Sequence, residues 1–510
     1  MHRLLVLGLV LVAATCSALP SSSDGHKRIV VENFFTTRVN NLNPQRNQRW
    51  TMRYFSVTEF YEAGGPILIW LGGNAPIHEY MIDESSLLYD LARQMNGAIF
   101  AFESRFYGQN RATEDVTVES LYLLSTYQIM GDLAEFVTYL RRDVVHNEDA
   151  PVLVSGAGYG GALATWFRVH YPHLADAAWS SGGTHKAVMS FSEYAEAWGQ
   201  TLINYGGQAC YNEIFVAFHV MQYLIDMGLE EILFEKFNLC TEINLQDNLE
   251  VQHFFRMMMK AVQEFTLEND NLSDFTNFCD ALMTPNMPTA LDSFANWFNT
   301  VFAQDEPCTT VDLQSTIQNL KQSDWTSPSV QSGQRQWLYQ KCAEFGWFPT
   351  TDSPYQPFGS RVQTELYTEM CREVFGDFFQ PDSITRAVQR FNHRFGELTP
   401  DVRRAHFTSG AEDPWRLVGI RETLSTRATA DVISGELSGA ETRTISEEDS
   451  EVLQAAKRRI LFLLEDYLVS PGGPGGPGGP GGPGPGGPGG PGGPGGPGGP
   501  GGPGGPGSRP

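Results

Sequence analysis

The chain has 510 residues, of which 41% are hydrophobic and 18% are charged, and its formal net charge is −24 at pH 7. So acidic a balance argues against nucleic acid and anionic membrane surfaces as partners. It is typical of a soluble protein of an acidic or extracellular compartment, although acidic residues that serve only solubility produce the same composition.

Residues 1–18 have the pattern of an export signal peptide. Arg3 supplies a positive charge, residues 4–14 form an unbroken apolar run, and residues 16–18 are small enough for cleavage. The run is shorter than the roughly 20 residues that a membrane span requires, and no later stretch is long and apolar enough. We therefore expect a secreted, extracellular protein without a membrane span, with a lysosome or secretory vesicle as the alternative location.

Residues 28–185 alternate short apolar strands with amphipathic helices. Continuous apolar runs at 67–71, 98–102 and 152–154 predict strands that are buried on both faces. Between them, apolar residues recur at the helical period over 133–140. This alternation predicts a parallel sheet with helices on both faces.

The segment 186–395 is rich in aromatic residues. Its composition predicts a mostly helical cap domain. An even set of cysteines in an exported chain indicates disulfides, but the sequence does not choose their pairing. The candidates are Cys210, Cys240, Cys279, Cys308, Cys342 and Cys371. One glycosylation sequon begins at Asn271. No spacing resembles a zinc site, and we expect neither a metal nor a cofactor.

Residues 400–468 return to the pattern of the first segment, with strands predicted at 405–408 and 430–433 and a helix at 449–468. The simplest architecture is one α/β domain split by the helical cap. Residues 471–510 are a Gly-Gly-Pro-rich low-complexity tail, which cannot enter a packed core. We expect a tether, or a tail that self-associates or binds matrix; a collagen-like triple helix is the alternative.

A glycine-rich turn follows the strand at 152–154 and precedes a helical stretch. It reads Gly156-Ala157-Gly158-Tyr159-Gly160. A strand, a sharp turn and a helix are the context of the G-x-S-x-G nucleophile elbow of serine hydrolases. Here Gly158 stands where that motif has its serine.

Further motifs extend along most of the chain. They are residues 64–67 running into 71–73, the segment Glu103-Ser104-Arg105-Phe106-Tyr107-Gly108-Gln109, the pairs at 122–123 and 132–133, residues 337–346, and residues 409–415. Together they resemble the serine peptidase family that includes lysosomal Pro-X carboxypeptidase, dipeptidyl peptidase II and thymus-specific serine protease. The resemblance implies an α/β-hydrolase fold, a mostly parallel sheet flanked by helices, with an inserted, disulfide-containing helical cap domain.

The resemblance also assigns the positions of the family's catalytic triad. The nucleophile position holds Gly158, the acid position holds Asp413, and the histidine position falls at or near Ser438. His406 is the last histidine of the chain. Because this fold orders its triad as serine, acid, histidine, no histidine is available after the acid. The resemblance therefore implies a member that lacks the catalytic serine and histidine.

Parts of the site are nevertheless retained. The backbone N–H of Tyr159, together with that of Gly73 or Asn74, matches the family's oxyanion hole, so a peptide end could still bind. Asp413 is retained either because Asp-Pro-Trp builds a turn or because it keeps a binding role.

Three functions follow from these observations. The leading expectation is a secreted, inactive serine carboxypeptidase-like protein with a binding or structural role. The second is an active serine-type exopeptidase that acts on peptides with proline, which requires an unrecognised nucleophile and base. The third is a regulator or decoy of an active paralogue, because relatives are often dimeric and this chain could form a homodimer or a heterodimer.

Overall fold

The computed structural model describes residues 29–43, 45–267, 272–283, 287–304 and 306–469. The predicted signal peptide at 1–18, the sequon at Asn271 and the tail at 471–510 lie outside these residues. Within the described ranges, no helix is both long enough and apolar enough to cross a membrane.

The centre of the molecule is an eight-stranded sheet with the order β1-β2-β4-β3-β5-β6-β9-β10. All strand pairs are parallel except those that β2 makes with β1 and β4. The strands are β1 Val31–Arg38, β2 Arg49–Val57, β3 Ile67–Leu71, β4 Ala98–Phe102, β5 Val152–Ala157, β6 Ala177–Ser181, β9 Ala405–Gly410 and β10 Ala428–Ile433. Two further strands, β7 Val188–Phe191 and β8 Gly346–Pro349, pair with each other in a separate small sheet.

Helices cover both faces of the large sheet and fill the segment between β6 and β9. They are α1 Leu87–Met95, α2 Val118–Leu121, α3 Thr126–Tyr139, α4 Tyr159–His170, α5 Glu193–Asp226, α6 Glu230–Lys236, α7 Asn248–Leu267, α8 Ser273–Leu282, α9 Ala290–Trp297, α10 Leu313–Lys321, α11 Pro328–Gln331, α12 Gln334–Gln340, α13 Thr364–Phe375, α14 Pro381–Phe395 and α15 Glu451–Val469. The strand order, the parallel connections and the helical insertion are those of an α/β-hydrolase, as predicted.

The alternation of side chains along the central strands explains the layering. In β3, Ile67, Ile69 and Leu71 join a core with helices α3 and α4. The intervening Leu68 and Trp70 join a second core with α1 and α15. Because successive strand residues point to opposite faces, a strand covered on both faces needs an apolar residue at every position, and all five residues of β3 are buried.

The predicted elements agree closely with the structure, with small differences at their ends. Strand β5 extends three residues beyond the predicted 152–154, and β10 begins at Ala428 rather than at residue 430. The last helix begins at Glu451, two residues after its predicted start. The predicted blocks at 28–185, 186–395 and 400–468 belong to one compact unit, so their boundaries stay predictions.

The six cysteines of the cap form three disulfides. The pairs are Cys210–Cys279, Cys240–Cys308 and Cys342–Cys371. The first two are interleaved along the chain, whereas the third joins the segment after α12 to α13.

A buried ion pair joins the segment after β4 to helix α3. The side chains of Arg105 and Asp132 are both fully buried. Arg105 donates from Nε to Oδ2 and from Nη2 to Oδ1 of Asp132, each at 2.6 Å. The same guanidinium donates to the backbone oxygens of Val39 and Leu123. Arg105 therefore links its own segment to helix α3 and to the segments after β1 and α2.

Candidate active site

The glycine-rich turn lies between β5 and α4 and has the geometry of a nucleophile elbow. Gly158 adopts φ 53° and ψ −121° and immediately precedes α4. A positive φ is sterically costly for residues with a side chain and nearly free for glycine. A Cβ atom placed on Gly158 would meet no other atom within 4 Å, so the space for a side chain at the nucleophile position is open.

The glycines around Gly158 serve close packing instead. A Cβ on Gly156 would lie 2.6 Å from the carbonyl carbon of Gly160, and a Cβ on Gly160 would lie 2.4 Å from the backbone oxygen of Leu71. A Cβ on Gly73 would lie 2.9 Å from the backbone nitrogen of Gly160. These contacts hold the start of α4 against the end of β3 without room for a methyl group.

This difference leads to a matched pair of stability predictions. We expect Gly160→Ala to lower the free energy of unfolding by about 2–3 kcal/mol, because two backbone segments must separate to admit the methyl group. Gly158→Ala is expected to cost only about 1 kcal/mol, the strain of the left-handed φ. Urea denaturation of the two variants measures both values. Equal losses of unfolding free energy in the two variants would contradict the view that Gly160 is closely packed and Gly158 is not.

Asp413 lies in the loop after β9, at the start of a short 3₁₀ turn, Pro414–Val418. Its Oδ1 accepts a hydrogen bond from the Trp415 N–H at 2.8 Å. Burial raises the pKa of the Asp413 carboxyl, while hydrogen bonds from the Ser438 hydroxyl and the Trp415 N–H oppose this shift. The carboxyl group at the predicted acid position thus accepts hydrogen bonds from neutral donors, while the charges of Arg416 and Glu441 act on it in opposite directions.

Ser438, at the predicted histidine position, lies beside Asp413. Its Oγ accepts a hydrogen bond from the Gly410 N–H at 3.0 Å. A Cβ on Gly182 would lie 2.6 Å from Cβ of Ser438 and 3.6 Å from Oδ2 of Asp413. The loop after β6 and the loop after β9 thus meet the 434–439 segment at one point.

One pocket of about 370 Å³ collects the predicted site residues. Its walls come from the elbow, the loops after β6 and β9, the segment after β10, and the cap. They are Asn74, Ala157, Gly158, Tyr159, Ser181, Gly182, Thr184, Trp337, Trp347, Asp413, Trp415, Leu437 and Ser438. Gly158, Asp413 and Ser438 therefore face one cavity, although they lie far apart in the chain.

The predicted oxyanion-hole residues are divided by this pocket. Tyr159 and Asn74 line the wall, whereas Gly73 lies behind it, against Gly160. The first N–H groups of a helix have no intrahelical acceptor, so the start of α4 at Tyr159 presents free donors. That Gly73 or Asn74 supplies the second donor stays a prediction.

No histidine lines this pocket among the described residues. His185 is fully buried beneath α4, where its Nε2 lies 3.0 Å from Oγ1 of Thr165 and 3.5 Å from Oγ of Ser180. Burial lowers the pKa of His185 to about 3, so the ring is neutral. Neither Ser180 nor His185 reaches the pocket, so their contact gives no nucleophile and base there.

Glu441 is a buried carboxylate near the site that the sequence did not indicate. It lies in a short turn, Ala440–Thr442, and is fully buried. Its Oε1 accepts hydrogen bonds from the hydroxyls of Ser181 at 2.8 Å and Thr408 at 2.5 Å, and its Oε2 accepts from the Gly439 N–H at 3.1 Å. This carboxylate holds the ends of β6 and β9 to the segment that carries Ser438.

A second network holds the cap against the elbow. The Tyr159 hydroxyl lies 3.2 Å from Oγ1 of Thr126 and accepts a hydrogen bond from the Gln340 amide at 3.0 Å. Glu344 accepts from the Thr126 N–H at 3.1 Å, and burial raises the pKa of Glu344 to about 7. The cap is thereby hydrogen-bonded to the first residue of α4, so it forms a fixed wall of the pocket.

In the described ranges, no cluster of three or more histidine, cysteine, aspartate or glutamate side chains is placed to hold a metal ion. The pocket is lined by hydroxyl groups, aromatic rings, backbone groups and the Asp413 carboxyl.

Comparison with known proteins finds relatives along most of the chain. The chain is 25% identical to the thymus-specific serine protease of Mus musculus over 390 residues, covering 74% of this chain and 76% of that protein. It is 21% identical to the lysosomal Pro-X carboxypeptidase of Pongo abelii over 421 residues, covering 79% and 81%. Among solved structures, carboxyl esterase 2 of the fungus Tuber melanosporum matches with a TM-score of 0.34 and 11% identity, over 88% of this chain and 89% of that chain.

One family model also matches most of the chain. Residues 37–460 match the family described as serine carboxypeptidase S28, a span that includes the elbow, the cap, Asp413 and Ser438. With the strand order and the pocket described above, the chain belongs to the serine carboxypeptidase S28 family.

Proposed function

We propose that this chain is a non-catalytic member of the family, which uses the peptidase pocket for binding. The observation that carries the proposal is Gly158, which occupies the elbow with the backbone geometry of a nucleophile and no side chain to attack a carbonyl. The position beside the Asp413 carboxyl holds Ser438 instead of a base. Loss of a serine nucleophile or its histidine lowers turnover by about 10⁶-fold in the subtilisin case, and the second loss then adds little.

We also propose that this protein is secreted. Three disulfides in the cap are typical of proteins that fold in oxidising compartments, and residues 1–18 resemble a signal peptide. A relative carries the name lysosomal, so a lysosome or secretory vesicle is the alternative location. Glycosylation at Asn271 and a tethering or self-associating role for the Gly-Gly-Pro tail belong to the same proposal.

Family membership itself favours a second function, an active serine-type exopeptidase. Relatives are named as a serine protease and as a Pro-X carboxypeptidase. This function requires a nucleophile other than residue 158. A regulatory role, as a decoy or a heterodimer partner of an active paralogue, is compatible with the same inactive pocket.

The test is hydrolysis of fluorogenic peptides with proline beside the scissile bond, at pH 5 and pH 7. We expect the natural chain to release no fluorophore. The double variant Gly158→Ser/Ser438→His is expected to gain activity by about 10²-fold or more over background, the contribution typical of a positioned base. Room for the introduced hydroxymethyl group follows from the open space around Gly158.

A matched control separates chemistry from altered structure. Gly158→Ala/Ser438→His carries the same backbone strain and the same imidazole but no nucleophile, so it is expected to stay silent. Turnover by the natural chain, with labelling by a serine-directed phosphonate, would establish the active exopeptidase instead.

A further inference from the structure

Four aromatic side chains form a continuous wall of the pocket. The ring centroids of Tyr159 and Trp337 lie 5.5 Å apart, those of Trp337 and Trp347 5.9 Å apart, and those of Trp347 and Trp415 6.4 Å apart. The rings come from α4, α12, β8 and the turn after Asp413. Aromatic faces carry partial negative charge, and a cation placed within about 6 Å of a ring centroid is attracted to it.

The ionisable groups at the pocket add negative charge. Among the lining residues, Asp413 is the one acidic side chain, and no lysine, arginine or histidine joins it. The hydrogen bonds to its carboxyl come from neutral donors, the Trp415 N–H and the Ser438 hydroxyl. Glu441 lies behind this wall and also acts electrostatically on Asp413 as a like charge.

The nearby arginine does not neutralise this wall directly. Arg416 Nη1 donates to the backbone oxygen of Asp413 at 3.0 Å, not to its carboxylate, and Arg416 is not among the lining residues. Arg416 still acts on the Asp413 carboxyl as an opposite charge, and both Glu412 and Asp413 act on Arg416 in the same way. The cavity therefore combines a carboxylate that has no basic partner in its wall with aromatic faces.

We propose that this pocket binds an organic ammonium ion, with Asp413 as its counter-ion and Trp337, Trp347 and Trp415 as its walls. The inference rests on the proposed function, because an intact triad would place an imidazole beside Asp413 and stabilise it there as an imidazolium. Without that ring, a ligand cation can take the position of the missing positive charge. A volume of about 370 Å³ suits a small ligand or one end of a peptide.

The probe pair for the test is choline and 3,3-dimethyl-1-butanol, which has the same shape with a neutral carbon in place of the nitrogen. We expect isothermal titration calorimetry and quenching of tryptophan fluorescence to show choline binding at least about tenfold more tightly than the neutral alcohol, or 1.4 kcal/mol. Equal affinities would mean that the pocket selects shape alone, and would overturn the proposal.

Two variants test whether Asp413 and Trp337 are responsible for choline binding. Asp413→Asn keeps the side-chain cap of the turn, since asparagine also caps helix starts, and is expected to lose at least about tenfold in choline affinity. Trp337→Leu is expected to lose about threefold or more, the loss of one cation–π contact. Asp382→Asn, an exposed aspartate in the first turn of α14, is the matched control and should bind choline like the natural chain. Unchanged choline affinity in Asp413→Asn would overturn the proposal.

Two sources could supply the ammonium group, a free quaternary amine or the amino terminus of a peptide. Gly-Pro amide carries a free amino terminus, and its N-acetylated form does not. Tighter binding of Gly-Pro amide than of both its acetylated form and choline assigns the site to peptide termini, whereas tighter binding of choline assigns it to a free quaternary amine. Failure of this inference is separable from failure of the proposed function. A chain that hydrolyses peptides refutes the non-catalytic proposal, whereas a silent chain that does not discriminate choline from its neutral analogue refutes only the ammonium site.

Discussion

Asp132→Asn is expected to lower the free energy of unfolding by about 3–5 kcal/mol, because it leaves the Arg105 guanidinium buried without its counter-charge. Both side chains are fully buried and joined by two hydrogen bonds of 2.6 Å. Asparagine has almost the same shape, so packing is preserved, and the loss combines the missing charge with the replacement of one acceptor oxygen by an N–H₂ group. Urea denaturation with the disulfides intact, followed by circular dichroism, measures it.

A double variant tests how much of the stability lost in Asp132→Asn comes from the unpaired charge of Arg105. Arg105→Met/Asp132→Leu removes both charges together and is expected to recover a large part of the stability lost in Asp132→Asn, since buried pairs are often replaceable by apolar side chains. If the double variant is less stable than the single one, the hydrogen bonds from Arg105 to Val39 and Leu123 are the dominant contribution.

The variant Cys210→Ala/Cys279→Ala is expected to lower the free energy of unfolding by about 4 kcal/mol. The disulfide joins residues 69 apart, and removing a cross-link over a loop of this length restores that much conformational freedom to the unfolded chain. The pair Cys342–Cys371 spans 29 residues, so its removal should cost about 1 kcal/mol less. Thermal and urea denaturation of the two double variants compare them. A larger loss at the shorter loop would show that local packing outweighs chain entropy.

The central strands were predictable because burial on both faces leaves a simple pattern. The runs at 67–71 and 98–102 coincide with β3 and β4, whose residues are all buried. The glycine-rich turn was equally predictable, since Gly156, Gly158 and Gly160 stand at the junction between β5 and α4. Close packing excludes a Cβ at two of these positions and strain disfavours one at the third.

Features built from distant segments could not be predicted in the same way. The pairing of Val188–Phe191 with Gly346–Pro349 joins two short strands with no local signal. The same holds for the disulfide connectivity, which depends on helix packing in the cap. Glu441 follows no motif, and its burial becomes evident only when the ends of β6 and β9 meet it.

The aromatic wall is another product of long-range packing. Trp337, Trp347 and Trp415 stand in a cap helix, a short strand and a loop of the hydrolase sheet, and each alone is an ordinary core residue in the sequence. Their convergence beside Asp413 depends on how the cap closes over the elbow. Trp337 and Trp415 lie within the motifs at 337–346 and 409–415, but those motifs did not indicate that the two rings meet beside Asp413.

The position of the cap between β6 and β9 has a consequence during synthesis. Ala178 of β6 pairs with Ala405 of β9, and Ser181 pairs with Thr408, so the whole cap is translated before β6 gains its second neighbour. At about 5–20 residues per second, β9 emerges roughly 10–45 s after β6. Throughout this interval the nascent chain carries an unpaired strand edge, a template for pairing with other chains. The length of the cap thus sets how long this edge of β6 stays unpaired during synthesis.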